Sequence, residues 1–310
     1  KTGINYGLAV DLGTTTVVGF LVDLTNGKIL AKMSELNSQI TYGEALVSRI
    51  SYGSNPEGLR RLQEAAVRTI NDLVRKISLT SSINRDEITD ICIGGNTVMN
   101  HLLAGIDPAY LAYVDGNKKV SRKPIIRKAR QIGISVNPES YVYCLPNVSR
   151  FLGGDAIGDI LVSGMYESDE ISLLVDMGTN GEIIFGNNLW LMSTSCASGP
   201  AFEGAHIKHG MRASTGAIER VAIDPNTLEV YYKTIDDAKP VGICGSALVD
   251  IPAEMLKAGI IDWSGAFRKD LENPRMRYRG VAEFVIAWGE ETGTGEDIVV
   301  TQRDIRELQK

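Results

Sequence analysis

Apolar runs broken by short polar turns occur along most of the chain, and their order predicts strands first. Residues 8–12 and 17–20 form one pair of apolar runs, and residues 173–177 and 183–186 form another. Asn26 and Gly27 predict a hairpin turn after the first pair, and Asn187 and Asn188 occupy the same place after the second. The chain therefore repeats a predicted three-stranded meander, with an offset of 165 residues between Asp11 and Asp176.

Between the two meanders the apolar period changes to that of a helix. Asn55 followed by Pro56 is a helix start, and apolar residues then recur at helical spacing, which predicts an amphipathic helix of about 23 residues. A strand at 88–93 leads into a turn of two glycines, Asn96 and Thr97, and then into a helix that stops at Gly105. A strand at 141–146 is followed by a glycine pair, Gly153 and Gly154, which opens another helix.

The polar turn inside the first meander has the residue types that bind phosphate. It contains these residues: Asp11, Gly13, Thr14, Thr15 and Thr16. A glycine lets the backbone approach an anion, and N–H groups and hydroxyls donate to phosphate oxygens. Asp11 would hold Mg²⁺ through water, because this cation usually takes one or two carboxylates plus phosphate oxygens. The alternative is a strand that simply ends in a turn.

The second copy favours phosphate binding over that alternative. It repeats the aspartate, glycine and threonine and adds polar residues: Asp176, Gly178, Thr179, Asn180, Gly181 and Glu182. Two such loops on duplicated meanders resemble the phosphate-1 and phosphate-2 loops of the actin, Hsp70 and sugar-kinase superfamily (ASKHA). This resemblance implies an α/β fold with duplicated ribonuclease-H-like domains and a nucleotide cleft between them. The polar stretch at 167–170 predicts a boundary between domains at 1–168 and 169–310.

Two further glycine-containing turns are candidates for the same site. Asp155 opens the helix after Gly153 and Gly154, where it would either orient a metal or water or cap the helix. Gly245 and Ser246 open a predicted helix at a glycine-rich turn, and the N–H groups there could hold a phosphate or ribose oxygen.

Composition excludes several classes of protein. The 310 residues suggest about two domains, and 44% hydrophobic and 23% charged residues are typical of a globular protein. A net charge of −6 argues against nucleic-acid binding. No run approaches the roughly 20 apolar residues of a membrane helix, and no signal peptide opens the chain. We therefore expect a cytoplasmic protein without nucleic-acid or membrane partners.

The cysteines are spread along the chain, whereas seven of the basic residues are clustered. The four cysteines are dispersed and form no closely spaced pair, so a metal cluster held by this chain is not expected. Seven basic residues lie between 118 and 130 with no acidic residue among them. This run is either a docking patch for an acidic partner or a solvated face.

Taken together, the motifs at 10–16, 93–99, 176–182, 196–204 and 242–246 resemble the reductive activators of corrinoid proteins. In that family an ATPase domain of the ASKHA type follows a [2Fe–2S] domain, and ATP use is coupled to reduction of inactive cob(II)amide to cob(I)amide. The resemblance implies ATP and Mg²⁺ as ligands, with the [2Fe–2S] cluster in an N-terminal domain outside this chain. We expect the chain to be a fragment that also lacks the C-terminal end of the family.

The resemblance also implies roles for individual residues. Asp11 and Asp176 would flank Mg²⁺, and Glu182 would orient groups around the second loop. The phosphates would be held by Gly13, Thr14, Thr15, Gly178, Thr179 and Asn180. The implied partners are a corrinoid protein and ATP or ADP, and a homodimer stays open.

Two alternatives remain at this stage. In a small-molecule kinase of the same superfamily, Asp155 would deprotonate a substrate hydroxyl. In an actin-like assembly protein, the nucleotide would only switch the state of the chain.

Overall fold

A computed structural model describes residues 5–178, 180–197, 199 and 201–310 of the chain, apart from the side chain of Asn117. The chain separates into two compact units. The first unit comprises Lys1–Asp176 and Glu182–Ser195, and the second comprises Met177–Gly181 and Cys196–Lys310. Among the described residues, every helix is too short or too polar to cross a membrane.

A six-stranded sheet is the centre of the first unit. Its strands are β1 (Tyr6–Leu12), β2 (Thr16–Asp23), β3 (Lys28–Leu36), β4 (Ile88–Gly94), β5 (Ile125–Lys128) and β6 (Tyr141–Cys144). Their order across the sheet is β3-β2-β1-β4-β6-β5. The first three strands form the predicted antiparallel meander, whereas β4 runs parallel to β1 and β6 runs parallel to β4.

Helices pack against this sheet and against one another. They are α1 (Leu46–Gly53), α2 (Pro56–Ser81), α3 (Thr97–Ala104), α4 (Ala129–Ile132) and α5 (Gly154–Ser163). The predicted long helix is α2, and the Asn55 side chain caps it by accepting from the Gly58 N–H. Its apolar stripe, which includes Leu62, Ile70 and Leu73, is fully buried in the core. The short helix α1 was not predicted.

The parallel pairing of β1 with β4 determines where the polar turns of the first unit lie. Asp11 is paired with Gly94, so the turns that follow both strands are at the same edge of the sheet. Parallel strands of α/β folds generally present their ligand-binding loops at this carboxyl edge. The sheet therefore gathers the predicted phosphate loop and the Gly-Gly-Asn-Thr turn at one place.

The second meander is a separate three-stranded sheet. Its strands are β7 (Ser172–Met177), β8 (Asn180–Asn187) and β9 (Trp190–Ala197), in the order β7-β8-β9. The turn predicted at Asn187 and Asn188 joins the last two strands. A small core that includes Leu152, Ala156 and Ile184 packs beside Leu174 of this sheet.

The second unit contains two small sheets and two helices around its own core. Its elements are β10 (Ala217–Ile223), β11 (Val230–Thr234), β12 (Gly242–Ile243), α6 (Gly245–Lys257), β13 (Met276–Tyr278), β14 (Ala282–Ala287), β15 (Ile298–Thr301) and α7 (Gln302–Leu308). The sheets have the orders β11-β10-β12 and β13-β14-β15. Thr301 and Asp304 form a reciprocal cap at the start of α7.

Candidate functional site

The polar turn between β1 and β2 is tightly constrained at its glycine. A Cβ added to Gly13 would lie 2.4 Å from the carbonyl oxygen of Thr16, far inside van der Waals contact. A side chain at this position would therefore force the turn to move. The structure thus gives the turn its own reason for glycine, whereas the approach of the backbone to an anion stays a prediction.

Three successive carbonyls of the turn accept hydrogen bonds from the surrounding protein. Asn37 binds two of them, since its side-chain Nδ2 donates to Gly13 O at 2.8 Å and its backbone N–H donates to Thr15 O at 2.9 Å. Between them, Arg49 Nη2 donates to Thr14 O at 2.7 Å. The Thr14 hydroxyl accepts from Asn96 Nδ2 at 3.2 Å. These bonds hold the backbone of the turn in one conformation.

Helix α5 contributes two carboxylates, Asp155 and Asp159, one helical turn apart. Asp155 Oδ1 accepts from the backbone N–H groups of Gly153 at 3.1 Å and Ala156 at 2.7 Å, whereas the N-cap residue of α5 is Gly153 and has no side-chain cap. Burial nevertheless raises the pKa of Asp155 to about 6, and the charges of Asp11 and Asp176 act in the same direction. Asp155 thus binds the first turn of the helix and also belongs to an acidic cluster.

The other acidic residues of this cluster have similar environments. Asp11 keeps an exposed surface near the end of β1, yet desolvation of its carboxylate by the surrounding protein, followed by the charges of Asp176 and Asp159, raises its pKa to about 6. Burial and the charges of Asp176 and Asp155 raise the pKa of Asp159 to about 6. Because these charges act on one another, Asp11, Asp155, Asp159 and Asp176 lie close together within the first unit. An added cation would relieve their repulsion.

Glu182 lies at the start of β8 and is 6% exposed. Its Oε1 accepts from the Ser195 hydroxyl at 3.0 Å, which fixes the carboxylate against β9. Burial raises the pKa of Glu182 to about 7, with the nearby charge of Asp155 acting in the same direction and the Ser195 hydrogen bond opposing it. The structure therefore adds Glu182 to the same acidic cluster.

The remaining predicted site residues belong to the second unit. The Gly178 N–H donates to Asn180 O at 3.0 Å, and Gly181 O accepts from Cys196 Sγ at 3.4 Å. Thr179 lies outside the described residues. Gly245 and Ser246 open α6 as predicted.

The two residues that open α6 have specific contacts within the second unit. The Ser246 hydroxyl donates to Glu219 O at 2.7 Å. A Cβ on Gly245 would lie 2.3 Å from Phe202 O, so the glycine permits a close backbone approach. Both contacts fix the start of the helix, and the assignment of these residues to ligand binding stays a prediction.

Sequence analysis missed three residues of the site. Asp159 follows Asp155 by four positions on one helix, and that spacing was a usable signal. Asn37 and Arg49 bind the turn only through backbone carbonyls, so no sequence motif marks them. Thr15 and Thr16 lie in the turn and at the start of β2, as expected.

The carboxylates of the acidic cluster are consistent with a cation that they bind through water molecules. No three acidic, histidine or cysteine side chains of the described residues are close enough to bind a metal directly. Mg²⁺ usually keeps several waters and takes few protein carboxylates, so a loose cluster of carboxylates suits it.

Comparison with known proteins identifies the fold class and the family. A model described as the RACo middle region matches residues 6–168, and one described as the C-terminal domain of RACo, the ASKHA domain, matches residues 170–310. The fold class is therefore the α/β ASKHA fold, as the sequence predicted. The chain belongs to the RACo family, and its resemblance to reductive activators of corrinoid proteins is confirmed.

Individual relatives agree with this assignment. The corrinoid activation enzyme RamQ of Eubacterium limosum is 36% identical over 98% of this chain and 52% of its own length. The [Co(II) methylated amine-specific corrinoid protein] reductase of Methanosarcina barkeri is 26% identical over 83% of this chain and 52% of its own length. A solved reductive activator for corrinoid, iron–sulfur protein is 43% identical, with a TM-score of 0.92 over 99% of this chain and 49% of its own. The chain thus spans about half the length of these relatives.

Proposed function

We propose that the chain binds a magnesium nucleotide, ATP or ADP, and that the first unit supplies the main contacts to the phosphates and the ion. The observation that carries this proposal is the acidic cluster of Asp11, Asp155, Asp159, Asp176 and Glu182. Carboxylates gathered in this way favour binding of a cation, and the pKa values of Asp11, Asp155, Asp159 and Glu182 are raised. The glycine-containing turn at 13–16 follows directly from Asp11, at the sheet edge where α/β folds bind ligands.

Four of these carboxylates have proposed roles of two kinds. Asp11 and Asp176 would hold Mg²⁺ through its water ligands, and Glu182 and Asp155 would orient water molecules around it.

The turn at Gly13, Thr14, Thr15 and Thr16 would bind phosphate oxygens through N–H groups and hydroxyls. Gly178, Thr179, Asn180 and Gly181 would bind phosphate, and Gly245 and Ser246 would bind phosphate or ribose. When bound, Mg²⁺ would neutralise phosphate charge.

We further propose that the whole protein is an ATP-dependent reductive activase. In this proposal one electron converts cob(II)amide to cob(I)amide on a corrinoid protein, and a [2Fe–2S] domain like that expected of the family donates the electron. ATP would act by hydrolysis with water as phosphoryl acceptor, or by favouring the conformation that docks the corrinoid protein. A ligand can do this only if it binds one conformation more tightly than the other. The names of the relatives support the assignment of the partner.

The test is anaerobic reduction of a cob(II)amide-loaded corrinoid protein by the full-length activator, followed by visible absorption. The account predicts formation of cob(I)amide that requires a reductant, Mg²⁺ and ATP together. The matched comparison replaces Asp11 by asparagine, which keeps the side-chain shape and removes the charge.

Two results would contradict the proposed function. Reduction that is equally fast and complete without nucleotide would remove the role of ATP. Rapid phosphorylation of a small metabolite, with no effect on any corrinoid protein, would favour the kinase alternative in which Asp155 is the base.

A further inference from the structure

Arg49 is buried directly behind the turn at 13–16. The residue is 0% exposed, and its guanidinium donates to neutral oxygens: Thr14 O and Gly43 O at 2.7 Å, and Gln39 Oε1 at 3.3 Å. None of the ion pairs found between described residues includes Arg49. Burial lowers its pKa to about 10, so the group stays charged at neutral pH.

A buried charge of this kind is unusual in proteins. Buried guanidinium groups are generally paired with a carboxylate, because removing an ion from water without such a partner is unfavourable. Here the neutral oxygens satisfy the N–H donors without cancelling the charge. The chain therefore keeps a positive charge fixed behind the carbonyl of Thr14.

We propose that Arg49 is a positioning residue for the phosphate groups of the nucleotide, and that their negative charge is the counter-charge this buried cation lacks in the chain. The inference rests on the proposed nucleotide site. Arg49 holds the peptide of Thr14 in place through its hydrogen bond to the carbonyl. The electric field of its guanidinium charge also acts on the phosphates, because charges in the protein interior are weakly screened.

Two substitutions separate the charge from the packing. Arg49→Met removes the charge and keeps an apolar side chain of similar length. Gln39→Glu leaves Arg49 in place and puts a carboxylate where the amide oxygen now lies 3.3 Å from Nη1, so it neutralises the cation. The control is Met99→Leu, because Met99 Sδ contacts Arg49 Nη1 at 3.3 Å and carries no charge.

The measurement is the dissociation constant of MgATP and of adenosine, the latter by competition, for each purified variant. Arg49→Met and Gln39→Glu should each weaken MgATP binding roughly tenfold, as expected for loss of a charge-assisted interaction away from water. Adenosine binding should stay within about twofold, since it lacks phosphate. Met99→Leu should change neither constant.

Thermal unfolding without nucleotide shows whether each variant is folded before its affinity is compared. Gln39→Glu pairs the buried charge but loses the hydrogen bond that Gln39 Nε2 donates to Leu62 O at 2.9 Å, so its specific signature is weaker MgATP binding with adenosine binding unchanged. If Arg49→Met does not fold, Gln39→Glu still decides the question.

Three results are decisive. Wild-type affinity for MgATP in Gln39→Glu would overturn the proposal. An equal loss of adenosine and MgATP binding in the variants would reduce Arg49 to a structural role and also overturn it. A wild-type protein that binds no MgATP would instead contradict the proposed function itself, and that result needs no variant.

Discussion

The Gly154 N–H donates to the carbonyl of Gly95 at 2.7 Å, so the start of α5 is bound directly to the turn that follows β4. The two segments are close enough that a Cβ on Gly153 would lie 2.4 Å from Gly95 O and 2.5 Å from Thr97 N. This contact holds Asp155 at the same edge of the sheet as Asp11. The glycine pair is therefore part of what assembles the acidic cluster.

Replacement of Gly153 by alanine should destabilise the protein by about 1–3 kcal/mol, because the new methyl group meets backbone atoms that cannot move aside easily. Urea denaturation of the wild type and the variant measures this difference. The control is Gly158→Ala on the same helix, where the nearest atom to an added Cβ is 4.0 Å away. Alanine there should be neutral or stabilising by about 0.5–1 kcal/mol. Equal effects at both positions would show that the close approach does not matter.

The acidic cluster predicts an unusual dependence of stability on pH. Asp11, Asp155 and Asp159 have pKa values near 6 and Glu182 near 7, whereas in the unfolded chain such groups ionise near pH 4. The folded protein therefore binds more protons between pH 4 and 7, and the free energy of unfolding contributed by these groups falls as pH rises through that window. His101 and His209, whose pKa values are lowered by burial, oppose this trend below about pH 6.5.

Asp159→Asn isolates the contribution of the cluster, because the histidines are unchanged in the variant. We expect the variant to lose less stability than the wild type between pH 5 and 7.5, which denaturant unfolding at several pH values measures. Added Mg²⁺ should stabilise the wild type more at pH 7.5 than at pH 5. A variant with the same pH slope as the wild type would show that Asp159 is not part of a strained acidic cluster.

The sequence predicted those features of the fold that depend on local patterns. The meanders and α2 with its Asn55 cap follow from hydrophobic period and capping chemistry, and both are present. It did not predict α1, a short helix of eight residues with no side-chain cap. Arg49 lies on that helix, so its contact with Thr14 O depends on a tertiary approach across 35 residues of sequence. No local pattern encodes such a contact.

Part of the candidate site could be predicted for the same reason. Asp11 and Asp176 are each the second-last residue of an apolar strand, and that position in the sequence is informative by itself. Asp159 was missed because an acidic residue on a helix is usually a solvated one. Its raised pKa depends first on burial and then on the charges of Asp176 and Asp155, which only the fold brings close to it.

The basic run at 118–130 predicts an effect on the rate of partner association. Lys118, Lys119, Arg122 and Lys123 are exposed or half-exposed, although acidic residues outside the run approach it, with Lys118 Nζ 3.7 Å from Asp115 Oδ1. If the run docks an acidic surface of a corrinoid protein, reversing these four charges should slow association, most strongly at low salt. Surface-binding kinetics at two ionic strengths measure the rate. Reversal of the exposed Lys28 and Lys269 is the control, and equal rates in all variants would leave the run as a solvated face.

The cysteines predict a simple pattern of chemical reactivity. Cys92 and Cys196 are exposed, whereas Cys144 and Cys244 are buried, and burial raises the pKa of Cys144 to about 12. A thiol-specific reagent should modify two cysteines in the folded chain and all four after denaturation. We also expect the purified chain to hold no iron–sulfur cluster. Stoichiometric iron and sulfide in a reconstituted sample would contradict that expectation.

The central claim is that Asp11 and Asp176 bind the magnesium nucleotide, and isothermal titration calorimetry with MgATP tests it most directly. Asp11→Asn and Asp176→Asn should each weaken binding by at least about tenfold, because each would remove a charge that the proposal places at the ion. The control is Asp90→Asn, which changes an exposed aspartate near the start of β4, away from Gly94. This variant should bind MgATP as tightly as the wild type does. Unchanged affinity for MgATP in both site variants would contradict the account.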